Sequence, residues 1–261
     1  FDGTSLKNPP LAKSACREIL ICSMPIFLVS MKMRTIYGII PLLGAILLSV
    51  MIAESSDGIT TMPRCAIIIV SDLEEFDQNE LEKADQFYQY LLDQDYTDED
   101  IYFLTEDGRT GFDDDPSTSN IEAAFSWLEN TSQPSSQPVI YVCDHEKLIS
   151  GIVNFQFSDG NISANTIDGW LDSTQYQDLT MILNGNRSAL AGPVLSSSSR
   201  DIFCSMRYDQ SFDEDLFNIT RGLNDPTADS DYDGEVSYHE AFMKECYNLR
   251  NEEQDPQMLT I

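Results

Sequence analysis

Short apolar runs alternate with amphipathic segments along the chain from residue 64 onward. Residues 65–71 (CAIIIVS) are of strand length and apolar on both faces, whereas residues 79–94 carry apolar side chains at the spacing of one helical face. Strands that are apolar on both faces and separated by helices predict an α/β domain, with a mostly parallel sheet covered by helices on both sides. Further strands are predicted at 101–104, 139–143, 179–183 and 201–206, and helices at 120–129 and around 164–173.

A histidine follows the strand predicted at 139–143. Functional sites gather at the carboxyl ends of the strands in a parallel sheet, so His145 is a candidate site residue. Residues 151–163 (GIVNFQFSDGNIS) depart from the alternation, because their period of two and their Asp-Gly turn predict a short hairpin beside His145.

Several segments of this region also carry a family resemblance. They are EDIYFL (99–104), SNIEAAFSWLE (119–129), VIYVCDH (139–145), SANTIDGWLDSTQ (163–175), LTMILNGNRSAL (179–190) and SFDEDLF (211–217). Together they resemble the legumain-like and caspase-like cysteine peptidases in their prokaryotic exported form, over roughly residues 64–253. The resemblance implies a three-layer caspase-like fold, in which a histidine acts as acid and base while a cysteine attacks the peptide carbonyl.

Two residues depart from the family pattern. His145 matches the family histidine and Ser188 the family serine, but Asn186 stands at the position of the nucleophilic cysteine and Glu146 replaces the glycine after the histidine. A neutral carboxamide cannot open an acyl-enzyme pathway. Glu146 is expected to add bulk and negative charge where an oxyanion would develop. The resemblance therefore implies an inactive peptidase homologue that acts as a binding or structural module, with an active cysteine endopeptidase as the alternative.

Four cysteines lie after residue 53, and no two of them form a CxxC pair. We expect buried free thiols, with one disulfide as the alternative in an exported protein. Cys143 shares a strand face with His145, but a position inside a strand predicts a buried and unreactive thiol, and the same holds for Cys204.

Residues 229–240 (DSDYDGEVSYHE) match the pattern of an EF-hand calcium loop. Carboxylates occupy alternate positions at the start, a glycine permits the sharp turn, and a glutamate closes the loop at the start of a helix. The pattern predicts a single, structural Ca²⁺ site, whereas an acidic turn that caps the helix is the alternative. The expected ligands are Asp229, Asp231, Asp233, the carbonyl group of Glu235, Ser237 and Glu240.

The first part of the chain has the layout of an export signal. Lys32 and Arg34 precede an apolar run over residues 36–53, which predicts a signal peptide or an uncleaved N-terminal anchor at 31–53. The remainder is then expected to be secreted or on the outer cell surface. Residues 1–30 are an upstream segment of unknown role, residues 62–253 form the predicted domain, and residues 254–261 are interpreted as a tail, with truncation as one explanation.

The charge of the chain restricts its partners. A formal net charge of -29 argues against nucleic acid, anionic membrane surfaces and acidic substrates. A peptide or protein ligand stays open, and membrane contact is expected only through the N-terminal segment if it is uncleaved.

Overall fold

The structure is a computed structural model that describes residues 63–71, 78–106, 114–157, 159–210 and 216–260. The predicted upstream segment and the predicted signal peptide or anchor lie outside these ranges, so export stays a prediction. Within them, no helix combines the length and the apolar character needed to cross a bilayer.

A central sheet and a smaller antiparallel sheet contain the described strands. In chain order these strands are β1 (Ala66–Val70), β2 (Ile101–Thr105), β3 (Val139–Cys143), β4 (Glu146–Ile149), β5 (Ile152–Phe157), β6 (Gly160–Ser163), β7 (Leu179–Asn184), β8 (Arg200–Cys204) and β9 (Gln257–Leu259). The central sheet has the order β2-β1-β3-β7-β8-β9, in which only β9 is antiparallel to its neighbour. This mixed α/β architecture confirms the mostly parallel sheet expected from the apolar runs.

Helices cover both faces of the central sheet. They are α1 (Gln78–Asp93), α2 (Thr118–Thr131), α3 (Ala164–Ser173), α4 (Gly192–Leu195), α5 (Ile219–Leu223) and α6 (Tyr238–Leu249). Alternate strand residues point to opposite faces, so Ile67 packs with α2, α3 and α4, whereas Ile68 packs with α1, α5 and α6. Both side chains are fully buried, and burial of each contributes about 1.5–3 kcal/mol to stability.

The hairpin predicted at 151–163 is part of a larger element. Strands β5 and β6 form it, but β4 adds a third antiparallel strand that begins directly after His145. Ser150 and Gly151, with φ of 53° and 82°, make the turn between β4 and β5. The sequence missed β4 because three of its four positions are exposed, so that it has no alternation of apolar and polar residues.

The segment interpreted as a tail contains a strand of the central sheet. In β9, Met258 lies opposite Phe203 of β8. Gln254 is also buried, and its side chain donates to the carbonyl oxygen of Ser205 at 3.0 Å and accepts from the N–H of Leu216 at 2.8 Å. The sequence after residue 253 gave no indication of these contacts, because a three-residue edge strand is too short to show a period.

Candidate functional site

His145 and Asn186 lie opposite each other where β3 and β7 end. The paired register of these strands closes with Cys143 opposite Asn184. Two backbone bonds continue it, from the N–H of residue 144 to the carbonyl of Asn184 at 3.1 Å and from the N–H of residue 146 to the carbonyl of Asn186 at 3.2 Å. Adding two residues to each strand places His145 opposite Asn186 across a spacing of about 4.8 Å. Both residues are half-buried.

A glycine allows this close approach. A Cβ atom on Gly185 would lie 2.1 Å from the carbonyl oxygen of Asp144, and the φ of 144° at this position is one that residues with side chains rarely adopt. The N–H of Gly185 donates to the Ser205 hydroxyl at 3.0 Å, which ties the turn to the end of β8. The approach of the two chain segments therefore depends on the absence of a side chain here.

The turn after Asn186 is held by bonds to the segment that follows β8. Arg187 has a φ of 62°, and its N–H donates to the carbonyl oxygen of Gln210 at 3.0 Å. Ser188, the match to the family serine, is buried, and its hydroxyl accepts from the N–H of Met206 at 2.9 Å. The hydroxyl of Ser188 thus supports the backbone of the turn.

Glu146 does not occupy the position that the sequence suggested. Its side chain is buried rather than set beside His145, and its Oε2 atom accepts from the N–H of Ala191 at 3.0 Å. Burial raises the pKa of Glu146 well above its usual range against the opposing effect of the Ala191 bond, and the nearby charge of Asp144 raises the pKa further. The expected bulk and negative charge beside His145 are therefore wrong, because the side chain is buried and bonded to the backbone of Ala191.

The four described cysteines are free thiols. Cys65, Cys143 and Cys204 are buried and Cys246 is half-buried, so the expectation of buried free thiols holds for three of the four described cysteines. Burial raises the pKa of Cys204 well above its usual range, with a smaller contribution from the charge of Glu146. Burial also raises the pKa of Cys65 and takes that of Cys246 to about 11. A raised pKa disfavours the reactive thiolate.

A buried polar cluster beneath the strand ends was not predicted. The Oε2 atom of Glu80 accepts from Asn184 Nδ2 at 2.6 Å and from Cys143 Sγ at 3.4 Å, and its Oε1 atom accepts from Lys83 Nζ at 2.7 Å. One carboxylate thereby links α1 to both β3 and β7. The sequence shows only an ordinary i,i+3 charge pair on a helix, and nothing in it distinguishes this pair from a solvated one.

The predicted calcium loop brings three carboxylates together. Asp229, Asp231 and Asp233 each offer an oxygen atom within 4.8 Å of the others. The Oδ1 and Oδ2 atoms of Asp229 accept from the N–H groups of Tyr232 and Gly234, at 2.7 Å and 3.2 Å. Gly234 has a φ of 96°, in keeping with the sharp turn that the motif requires. Carboxylate oxygens in this arrangement fit the hard-ligand preference of Ca²⁺.

Glu240 and Ser237 serve the start of α6. They form a capping box, in which Ser237 Oγ accepts from the N–H of Glu240 at 3.3 Å and Glu240 Oε2 accepts from the N–H of Ser237 at 3.0 Å. Glu240 Oε1 also accepts from the N–H of Ser230 at 2.7 Å. Backbone bonds from Ser237 and Ser230 lower the pKa of Glu240 to about 2. Glu240 is thus a carboxylate that lies against the loop. Its two oxygen atoms accept the cap bonds, and the same two atoms would coordinate Ca²⁺ bidentately.

Comparison with known proteins finds similarity among solved structures. No family model matches the chain, and no curated protein matches it. Among solved structures, the chain is similar to the Drosophila initiator caspase Dronc, with 11% sequence identity and a TM-score of 0.48, over 76% of this chain and 78% of that chain. The mixed α/β class stated above is established by the strand order and the helices of the chain itself.

Proposed function

We propose that this chain is an exported, catalytically inactive homologue of the caspase-like and legumain-like cysteine peptidases. In this proposal it binds a peptide or protein where β3 and β7 end. The observation that carries it is the register that sets His145 opposite Asn186. A base position is retained, but the residue across from it is a carboxamide, which has no nucleophilic form near neutral pH.

The surroundings of this pair favour binding over catalysis. The N–H of Glu146, at the position where the family glycine is expected to serve an oxyanion, donates to the carbonyl of Asn186. Cys143 precedes His145 by two residues, but it is fully buried and donates to Glu80. Among the described residues, the thiol nearest in sequence to His145 is thus buried, and the N–H of residue 146 is already bonded, so the pair supports binding of a ligand more than hydrolysis.

An activity assay tests the inactive assignment. The purified protein is incubated with Ca²⁺ and with peptides that offer Asn, Asp, Arg or Lys before the scissile bond, and separately with a thiol-directed active-site probe. We expect neither turnover nor labelling. Turnover that disappears in Cys143→Ala or Cys204→Ala would establish the alternative, an active cysteine endopeptidase.

A gain-of-function variant tests the residue positions. Asn186→Cys restores a thiol opposite His145, whereas Asn186→Ala is the matched control that changes the same side chain without adding a nucleophile. Glu146 is left unchanged, because its buried side chain does not fill the cleft. We expect peptide hydrolysis or probe labelling by Asn186→Cys and none by Asn186→Ala. The rate of the Asn186→Cys variant should fall about 10²- to 10⁴-fold when His145→Ala is added. Equal rates with and without His145 would contradict the proposed pairing.

We further propose that residues 229–240 bind one structural Ca²⁺ ion. Support comes from the three clustered carboxylates and the Gly234 turn. Glu240 would close the coordination sphere from α6, with Ser237 and the carbonyl group of Glu235 as further ligands. Secretion or display on the outer cell surface, which the segment 31–53 favours, fits a site that depends on a calcium-containing milieu.

A further inference from the structure

We infer that a polar cavity at the amino end of β8 binds a hexopyranose, the six-membered ring form of a sugar. The cavity has a volume of about 440 Å³, which is within the range of small-molecule sites. It lies where β7 and β8 begin, whereas His145 lies where β7 ends, and β7 is roughly 16 Å long. The inference therefore goes beyond the proposed peptide site and does not depend on it.

A buried guanidinium group holds the wall of this cavity. The side chain of Arg200 is 2% exposed, and its Nε atom donates to the Tyr176 hydroxyl at 2.6 Å. Its Nη1 atom donates to Asp168 at 2.6 Å and to the carbonyl oxygen of Leu195 at 3.0 Å, and its Nη2 atom donates to Asp172 at 2.7 Å. Asp172 and Tyr176 line the cavity together with Arg200. The guanidinium group thus fixes a carboxylate and a phenol at the cavity wall.

The position of Asp172 is unfavourable for folding alone. It lies in the last turn of α3, where the helix dipole disfavours a negative charge, and Asp168 places a like charge one turn before it. Burial of the Arg200 guanidinium costs desolvation energy in addition. The Asp172 side chain is nevertheless 70% exposed, and within the described part of the chain only its Oδ1 atom is bonded. Arrangements that cost stability are expected where they serve binding, and the second oxygen of Asp172 is available to a ligand.

Further hydrogen-bonding groups at the cavity have no side-chain bond to a described residue. They are the hydroxyls of Ser197 and Ser199 and the amide of Gln175. The Tyr176 hydroxyl accepts from Arg200 and keeps its own hydrogen to donate, and Arg200 makes four bonds to described residues with its five N–H groups. Hydroxyls and amides both donate and accept, whereas a carboxylate only accepts. The cavity therefore offers donors and acceptors side by side.

This combination fits a neutral sugar better than a charged ligand. An anion would meet two carboxylates, a guanidinium group already bonded to both, and a chain with a net charge of -29. An ammonium group only donates, so it would leave the hydrogens of Tyr176 and Arg200 without an acceptor. A sugar hydroxyl donates and accepts, so neighbouring hydroxyls satisfy Asp172 and these donors together. Leu171 and Pro134 add apolar surface for the C–H groups of the ring.

Ligand-observed NMR tests the inference. Saturation transfer from the protein is measured to methyl glucoside, methyl galactoside, methyl mannoside and N-acetylglucosamine, and to the disaccharides of the same sugars. We expect saturable transfer to at least one of them, and none to tetrahydropyran, which has the ring without its hydroxyls, or to butylamine, which is a cation. Tighter binding of a disaccharide than of its single sugar would identify a glycan chain as the source, and equal or weaker binding a single sugar residue; both results support the inference.

Variants of the cavity place the bound sugar. Ser197→Ala together with Ser199→Ala removes two hydroxyls that bond to no described side chain, so the melting temperature should be kept while binding weakens about tenfold. Ser198→Ala is the matched control, because Ser198 lies between them but is exposed and does not line the cavity. Asp172→Asn replaces a charged acceptor by a neutral amide and should weaken binding by at least about tenfold.

Three results would overturn the inference. The first is the absence of saturation transfer to every sugar tested. The second is transfer to tetrahydropyran or butylamine equal to that of the sugars, since the hydroxyls would then contribute nothing. The third is equal sugar binding by the native protein, the double serine variant and Asp172→Asn, which would place the sugar elsewhere on the molecule.

Discussion

The backbone N–H of Glu146 donates to the carbonyl oxygen of Asn186 at 3.2 Å, beyond the last paired residues of β3 and β7. The two chain segments thus stay hydrogen-bonded after the central sheet has ended. One consequence is that β4 enters the small sheet in a fixed position beside Asn186. Another is that residues 145 and 186 stay adjacent where the two strands end, whatever chemistry they support.

Gly185→Ala should destabilise the protein strongly. The added methyl group would lie 2.1 Å from the carbonyl oxygen of Asp144, so the backbone must move, and we expect a loss of at least about 2 kcal/mol in the free energy of unfolding. Gly169→Ala in α3 is the control, because nothing lies within 4 Å of its Cβ position, and it should stabilise by about 0.5–1 kcal/mol. Urea denaturation measures both. Similar stabilities of the two variants would contradict the close approach.

Lys83→Met should show how strongly the buried cluster holds the site. It leaves the Glu80 carboxylate buried without its cation, 2.7 Å away in the native protein, and the expected loss is about 3 kcal/mol. Lys244→Met removes the cation of a more exposed pair with Asp225 at 2.9 Å, so its cost should stay below about 1 kcal/mol. Chemical denaturation of the two variants compares identical substitutions on helices. Equal losses would mean that the Glu80 cluster adds no more than a surface pair.

Glu240 should make stability depend on acidic pH. Its folded pKa of about 2 lies below the ordinary value of 4.5, so the ionised side chain stabilises the fold at pH above 4.5, and this contribution disappears as the pH falls toward 2. In the presence of a chelator, the difference in unfolding free energy between the native protein and Glu240→Gln should therefore shrink from about pH 5 to about pH 2. A difference that stays constant over this range would contradict the cap arrangement.

Calcium should raise the melting temperature of the chelated protein, because a ligand that binds only the folded state stabilises it by mass action. Asp231→Ala removes one of the three clustered carboxylates and should abolish the shift. Glu235→Ala is the matched control, since this residue is expected to contribute its carbonyl group and not its side chain. An unchanged melting curve for the native protein would exclude the site. A lost shift in Glu235→Ala would exclude the proposed ligand set.

Removal of residues 254–261, which the sequence analysis interpreted as a tail, should weaken the fold. The deletion removes β9 from the edge of β8, together with the Gln254 side chain and its bonds to Ser205 and Leu216. These two hydrogen bonds of the buried Gln254 side chain alone are worth about 2 kcal/mol. The melting temperature of the shortened protein tests this. A melting temperature equal to that of the full chain would show that β9 contributes nothing to stability.

Most of the described central elements were predictable, because each of them is defined locally. The run at 139–143 became β3 with the predicted bounds, and the segment 164–173 became α3, which begins with Ser163 as its cap. Strands apolar on both faces and helices with one apolar face leave little freedom in how they are arranged. The elements that escaped prediction, β4 and β9, have four and three residues, too few for a local period, and each forms by pairing with the edge of a neighbouring strand.

For the site, the sequence by itself determined which residue types are present: a histidine at a strand end, an asparagine at the position of the family cysteine, and an acidic loop with the EF-hand pattern. Only the tertiary structure decided where the side chains point. Glu146 turned from the cleft into the core, and Glu80, distant in sequence, joined β3 to β7 from α1. The physical reason is that burial and hydrogen bonding of a polar side chain depend on the neighbours that packing supplies, and no local pattern encodes those neighbours.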